Sequence, residues 1–197
     1  MPAAAYGTPS LLLQAASRWR INSCSTLVAF DEGGVGHSNR WPLQFGSFMS
    51  PFDVAHHLCT TFDDFAERAI RPDGPNNWNG LRDDLFAWIS NLDTGVAFDG
   101  LFHVLETQTR YQYQWLAGDL LQRASIPCPL TLDDFITRVA PRFNASADTV
   151  PKYLGATFGK NAVLTRLRDL RSTENDSHWV SALDSMRYGL GEYPAQS

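Results

Sequence analysis

Residues 131–171 read TLDDFITRVAPRFNASADTVPKYLGATFGKNAVLTRLRDLR, and their punctuation is helical. Thr131 opens T-L-D-D, a hydroxyl cap followed three residues on by Asp134, whose carboxylate can reach back to the cap amide. Asp133 and Asp134 also complement the positive end of a helix dipole. Phe135, Ile136 and Val139 then recur at helical spacing. Pro141 removes an amide donor and turns Ala140 away from helical geometry, so this helix is short. Ser146 or Thr149 caps a second helix carrying Val150, Tyr153 and Leu154, loosened by Gly155 and Gly159. Asn161 caps a third, with Val163, Leu164, Leu167 and Leu170 on one side.

The flanks repeat this grammar. Upstream, Ser50-Pro51-Phe52-Asp53 is a cap, a first-turn proline and an acid, opening a helix to about Arg71 with Val54, Leu58, Phe62 and Phe65 on one face. After the break at Pro72–Pro75, Gly80–Leu92 reads as a helix with Leu81, Leu85, Trp88 and Ile89 inward and Arg82, Asp83 and Asp84 nearer solvent. The longest helix is expected from Val96 to Ala124, its apolar stripe interrupted by a polar middle from Thr107 to Gln114. Pro127-Cys128-Pro129 is the best boundary. Downstream, the polar link 172–177 precedes a last helix with Trp179, Ala182, Leu183 and Met186 inward. Nearer the N-terminus, Ser10–Arg20 suggests a short helix and Ser25–Phe30 a short strand stopped by the glycine-rich run Asp31–Gly36. Residues 37–49 suggest an irregular aromatic loop. The expected fold is mainly α, a compact multi-helix bundle with at most one short strand or hairpin near 25–30. Its divisions are a flexible tail 1–9, an aromatic-rich helical core region 10–126, a helical subdomain 130–190 packed on it, and a tail 191–197.

Composition narrows the function classes. The 197 residues are 44% apolar and 19% charged, which fits neither a disordered chain nor a membrane-spanning one. The formal charge of −5 disfavours nonspecific binding to phosphate backbones. That charge is uneven: residues 1–130 carry 8 basic and 13 acidic side chains, 131–172 carry 7 and 4, and 173–197 carry 1 and 4. Cys24, Cys59 and Cys128 are widely spaced and form no C-x-x-C pair, as expected for reduced intracellular thiols. With no secretory signature at the N-terminus, a cytoplasmic protein without a membrane partner is the expectation.

The basic segment carries a resemblance. Val139-Ala140-x-x-Phe143-Asn144-Ala145-x-x-x-x-Val150-x-x-Tyr153 resembles the helix-turn-helix pattern of DNA-binding proteins. The resemblance implies that Ser146, Ala147, Asp148 and Lys152 face a major groove, with Arg138, Arg142 and Lys152 on phosphates. It covers less than a tenth of the chain, and Pro141 and Pro151 depart from it.

Other constellations point to chemistry only in part. His56 and Cys59 share a helical face from which His57 diverges by about 100°, so at most two metal ligands converge where a structural zinc needs four. His103 and Glu106 are one helical step apart and could form an acid–base pair. Asp63, Asp64, Glu67, Asp83 and Asp84 suggest an acidic surface. Arg171, followed by His178 after six residues, resembles the Arg-x(4–6)-His spacing of the helical ribonucleases called HEPN. Here, however, Arg171 ends one expected helix and His178 begins another, with no flanking family pattern. No cofactor or metal is expected.

The favoured reading is a non-enzymatic helical protein that binds another protein or a second copy of itself through Tyr111, Tyr113 and Trp115. Tyrosine and tryptophan suit interfaces because an apolar body carries a polar tip. The same groups could instead be hydrogen-bonded inside a bundle. One alternative is DNA binding through 139–154; another is an enzyme with a helical pocket around His103 and Glu106.

Overall fold

Most of the start signals read from the sequence begin helices in the computed structural model. It describes residues 49–69 and 77–193, all within one unit spanning Phe45–Ser197. These residues form α1 (Pro51–Ala69), α2 (Trp78–Ile89), α3 (Thr94–Thr107), α4 (Tyr111–Arg123) and α5 (Leu132–Val139). After a 3-10 turn (Ala140–Arg142) come α6 (Thr149–Phe158), α7 (Lys160–Thr173) and α8 (Ser177–Gly189), with no strand among the described residues. The protein is thus mainly α, a bundle of helices. The expected Ser10–Arg20 helix, the 25–30 strand, the glycine run, the Pro72–Pro75 break and nearly all of the 37–49 loop lie outside the described residues.

At the head of α1, Asp53 Oδ2 accepts the Ser50 amide at 2.9 Å and the Ser50 hydroxyl at 2.7 Å, a closed capping box. At α5 the Thr131 hydroxyl donates to Asp134 Oδ2 at 2.7 Å and accepts the Asp134 amide at 3.2 Å. The carboxylate therefore meets the cap hydroxyl rather than the cap amide. Pro141 lies in the 3-10 turn, and α6 starts as late as Thr149, which places Pro151 in a first turn where no amide partner is lost. Asn161 does not cap the third helix of the segment. Gly159, at φ +86°, takes a left-handed conformation that glycine adopts freely, ending α6 and starting α7 around itself.

The largest departure is at 108–110, where the expected Val96–Ala124 helix is two helices. Gln108 turns to φ −91°, ψ 143°, and Arg110 is likewise extended. The break falls in the polar middle from Thr107 to Gln114, where the apolar stripe is already interrupted, although no proline or glycine marks it.

α3 runs between α1 and α4; α4 packs along α6; and α6 in turn contacts α7 and α8. The α4–α6 contact joins elements on both sides of Pro127–Pro129. Two glycines permit the closest approaches. A Cβ at Gly100 would lie 2.4 Å from Val54 Cβ of α1, and one at Gly118 would lie 2.7 Å from Thr149 Oγ1 of α6. Around these contacts Leu101, Leu105, Leu116, Leu120, Phe135 and Ile136 are fully buried. No helix among the described residues is long and apolar enough to cross a membrane.

Candidate functional site

The segment singled out for its rings is largely folded inward. Gln114 is 0% exposed, and its amide nitrogen donates to Gln108 O at 2.6 Å and Arg142 O at 2.8 Å, with Leu105 O at 3.3 Å. Its Oε1 accepts the Asn144 amide at 2.8 Å. One side chain thus satisfies the carbonyl end of α3 and the chain leaving the 3-10 turn, which is why the long helix breaks where it does. Tyr113 is 4% exposed and donates its hydroxyl to Asp63 Oδ1 of α1 at 2.5 Å, while Arg110 donates to the same hydroxyl at 3.0 Å. Burial, reinforced by Asp63, pushes the Tyr113 phenol up to about 12. Trp115 donates its indole N–H to Asp148 at 3.0 Å and lies beneath the Arg82 guanidinium, 4.9 Å away. Arg82, expected near solvent, makes two hydrogen bonds to Asp119 at 3.0 and 2.7 Å. Of the three proposed interaction residues only Tyr111, 45% exposed, stands out from the surface.

The basic residues are similarly occupied. Arg138 makes two bonds to the Glu106 carboxylate, at 2.9 and 2.8 Å, and sits 4.4 Å above the Phe102 ring. Lys152 pairs with Asp148, one turn away. Arg142 is exposed, while its carbonyl is held by Gln114. A helix-turn-helix joins its helices by about 3–4 residues, whereas here a 3-10 turn and residues 143–148 intervene. α5 packs on α3, α6 on α4, α7 and α8. Among the residues that would face a groove, Ala147 is fully buried and Asp148 holds Trp115 and Lys152.

His103 keeps its place one helical step from Glu106, but that carboxylate is taken by Arg138, and the His103 ring meets Phe52 edge-on at 6.2 Å. His57 packs 4.3 Å from the Trp88 ring, and His56 stacks on Phe52. Burial, with Asp63 adding to it, pushes the Cys59 thiol up to about 11, away from a reactive thiolate. Among the described residues no three His, Cys, Asp or Glu side chains are gathered to hold a metal. His178 Nε2 lies 2.9 Å from Pro141 O, and Arg171 bonds Asp184 instead.

A cleft of about 810 Å³ lies beside α8. Ser177, Val180, Ser181, Asp184, Ser185 and Tyr188 recur at three- and four-residue steps and form one wall; Arg171 of α7 and Ala145 stand across from it. At one end runs a chain of ion pairs. Arg171 Nε donates to Asp184 at 3.2 Å, Arg187 donates to Asp184 at 2.9 Å and to Glu192 at 3.0 Å, and Arg168 donates to Glu192 at 2.9 Å. Arg187, then Arg168, hold the Glu192 carboxyl down to about 2. Glu192, the second residue of the expected tail 191–197, is itself bonded to Arg168 of α7 and Arg187 of α8.

This wall carries a row of three serine hydroxyls. Elsewhere, Ser90, Thr107 and Ser172 turn theirs back to helix carbonyls at 2.7–2.8 Å. Ser177, Ser181 and Ser185 make no side-chain hydrogen bond among the described residues. Their i, i+4, i+8 spacing was present in the sequence, but it is also the spacing of any solvated helix face, and only the position of α7 and Ala145 makes it a cleft. No family model, curated protein or solved structure matches the chain.

Proposed function

We propose that this protein works by binding another protein, which lays a segment into the cleft along α8. The observation that carries the reading is a row of polar groups lining one cleft. Three serine hydroxyls and part of the Arg171 guanidinium face an open cleft without partners, whereas Tyr113, Gln114 and Trp115 have theirs inside the fold. Tyr188 and Tyr193, both well exposed and packed edge to face at 5.1 Å, add aromatic surface beside that end of the cleft. The binding surface favoured on sequence grounds therefore moves from α4 to α8, and the class of function, protein–protein interaction, is kept.

Quantitative co-purification from the native source tests this with two variants whose helicity is first checked by circular dichroism. Ser181→Trp fills the cleft and is expected to lose the specific partner. Tyr111→Ala is expected to keep it. The opposite pattern would return the site to the start of α4. A partner signal that vanishes with nuclease and with Arg138, Arg142 and Lys152 neutralised would favour DNA binding through 139–154 instead.

A further inference from the structure

Resting on the reading of the α8 cleft as a protein-binding site, we infer that its occupant is a peptide segment with an acidic side chain, held by Arg171. Shape is the first argument. From Ser177 to Tyr188 the wall is about 16 Å long at the α-helical rise, room along its length for about five residues of extended chain. Such a chain presents backbone carbonyls and amides, which the hydroxyls of Ser177, Ser181 and Ser185 can meet as donors or acceptors.

Charge is the second argument. Arg171, Arg187 and Arg168 face two carboxylates, Asp184 and Glu192, so the chain of pairs is one positive charge in excess. Arg168 and Arg187 both hold Glu192, and Arg187 is further occupied by Asp184. The Arg171 side chain lines the cleft, is 42% exposed and spends only its Nε–H, leaving both Nη groups without a hydrogen bond among the described residues. A guanidinium in that state suits a single carboxylate, to which it can offer a two-point contact. Asp184 and Glu192 lie beside it, and Asp176 caps the far end of α8. With Asp176 counted, three arginines stand against three carboxylates, so the cleft offers no net positive charge to a polyanion such as a nucleic-acid backbone, whereas a single carboxylate needs only the Arg171 guanidinium.

The test is a selection of displayed random peptides on the full chain, followed by titration of the synthesised winners. Acidic peptides should dominate. Replacing their Asp or Glu by the amide should weaken binding about tenfold or more, as should Arg171→Gln, because a charge-assisted hydrogen bond is lost. Asp184→Asn breaks the same Arg171–Asp184 pair from the other side, yet it should tighten binding, since it frees Arg171 and removes a competing carboxylate. If both substitutions weaken binding equally, Arg171 serves the fold and the inference fails. Neutral peptides that are displaced by Ser181→Trp but indifferent to Arg171→Gln would overturn the acidic occupant and leave the cleft as the binding site. Peptides indifferent to Ser181→Trp, or no selected binders, would overturn both.

Discussion

Gln114 and Arg171 each sit where separate pieces of chain meet, and they differ in what they leave over. Gln114 is sealed between α3, α4 and the segment after the 3-10 turn, and both ends of its amide are engaged by backbone. Arg171 lies at the open edge of α7 and α8 with one bond made. A buried polar group must be satisfied internally because an unpaired one costs about 1–3 kcal/mol. A half-exposed one can keep water as its partner until a ligand replaces it. The sealed cluster should therefore govern stability and the open one binding. The same division separates Tyr113 and Trp115 from the serines of α8, although in the sequence the rings looked like the better binding surface.

Gln114→Leu gives the sharpest test of that division. It would orphan Gln108 O, Arg142 O and the Asn144 amide together, and it should cost about 3 kcal/mol or more in urea unfolding. A cost below about 1 kcal/mol would mean that water reaches the junction and that the contrast with Arg171 is one of degree.

Thr149→Val should cost less, about 1–2 kcal/mol. Its hydroxyl donates to Trp115 O at 2.6 Å where α6 crosses α4, and valine preserves the shape while removing that single bond. The measurement is again the urea midpoint, with an unchanged slope if only stability has changed.

Tyr113→Phe should cost about 1 kcal/mol near neutral pH and should also change the alkaline limb of stability. The folded-state phenol is raised to about 12, mainly by burial, against about 10 in the unfolded chain. The native state therefore holds its proton more tightly, and this contribution, complete below pH ~10, is lost as pH rises toward ~12. The variant should show a flatter decline across that window in thermal melts. An identical decline would place its cause elsewhere, for instance at Tyr153, whose phenol burial also raises.

The smallest effect on stability is expected at the open cluster. Glu192→Gln weakens its bonds to Arg187 and Arg168 but should change unfolding by only about 0–1 kcal/mol, since the pairs are near the surface. Because its folded carboxyl is held near 2, the stability it adds is present above about pH 4 and disappears as pH falls toward ~2. Acid titration of the variant should lack that component. A loss comparable with that of Gln114→Leu would show that this network is a structural clasp, and the contrast would collapse.

The local features of the fold were legible in the sequence because their causes are local. Ser50 with Asp53, and Thr131 with Asp134, close caps within three residues, and Pro141 and Pro151 act on their own backbones. The 3.6-residue recurrence of Leu, Phe and Val was enough to establish helices, since burying such a face is the main source of helix stability. What required the tertiary structure were the choices made by residues far apart in the chain. The break before Tyr111 depends on Gln114 meeting Arg142 and Asn144, and the inward turn of Trp115 depends on Asp148. Arg82 left the solvent face because Asp119 lies across from it, 37 residues away. The α8 cleft exists because α7 and Ala145 stand opposite a face that, in one dimension, matches an ordinary solvated helix. Periodicity reports which side of a helix is apolar; it carries no record of which polar groups will find partners, because partnership is set by distances that only packing creates.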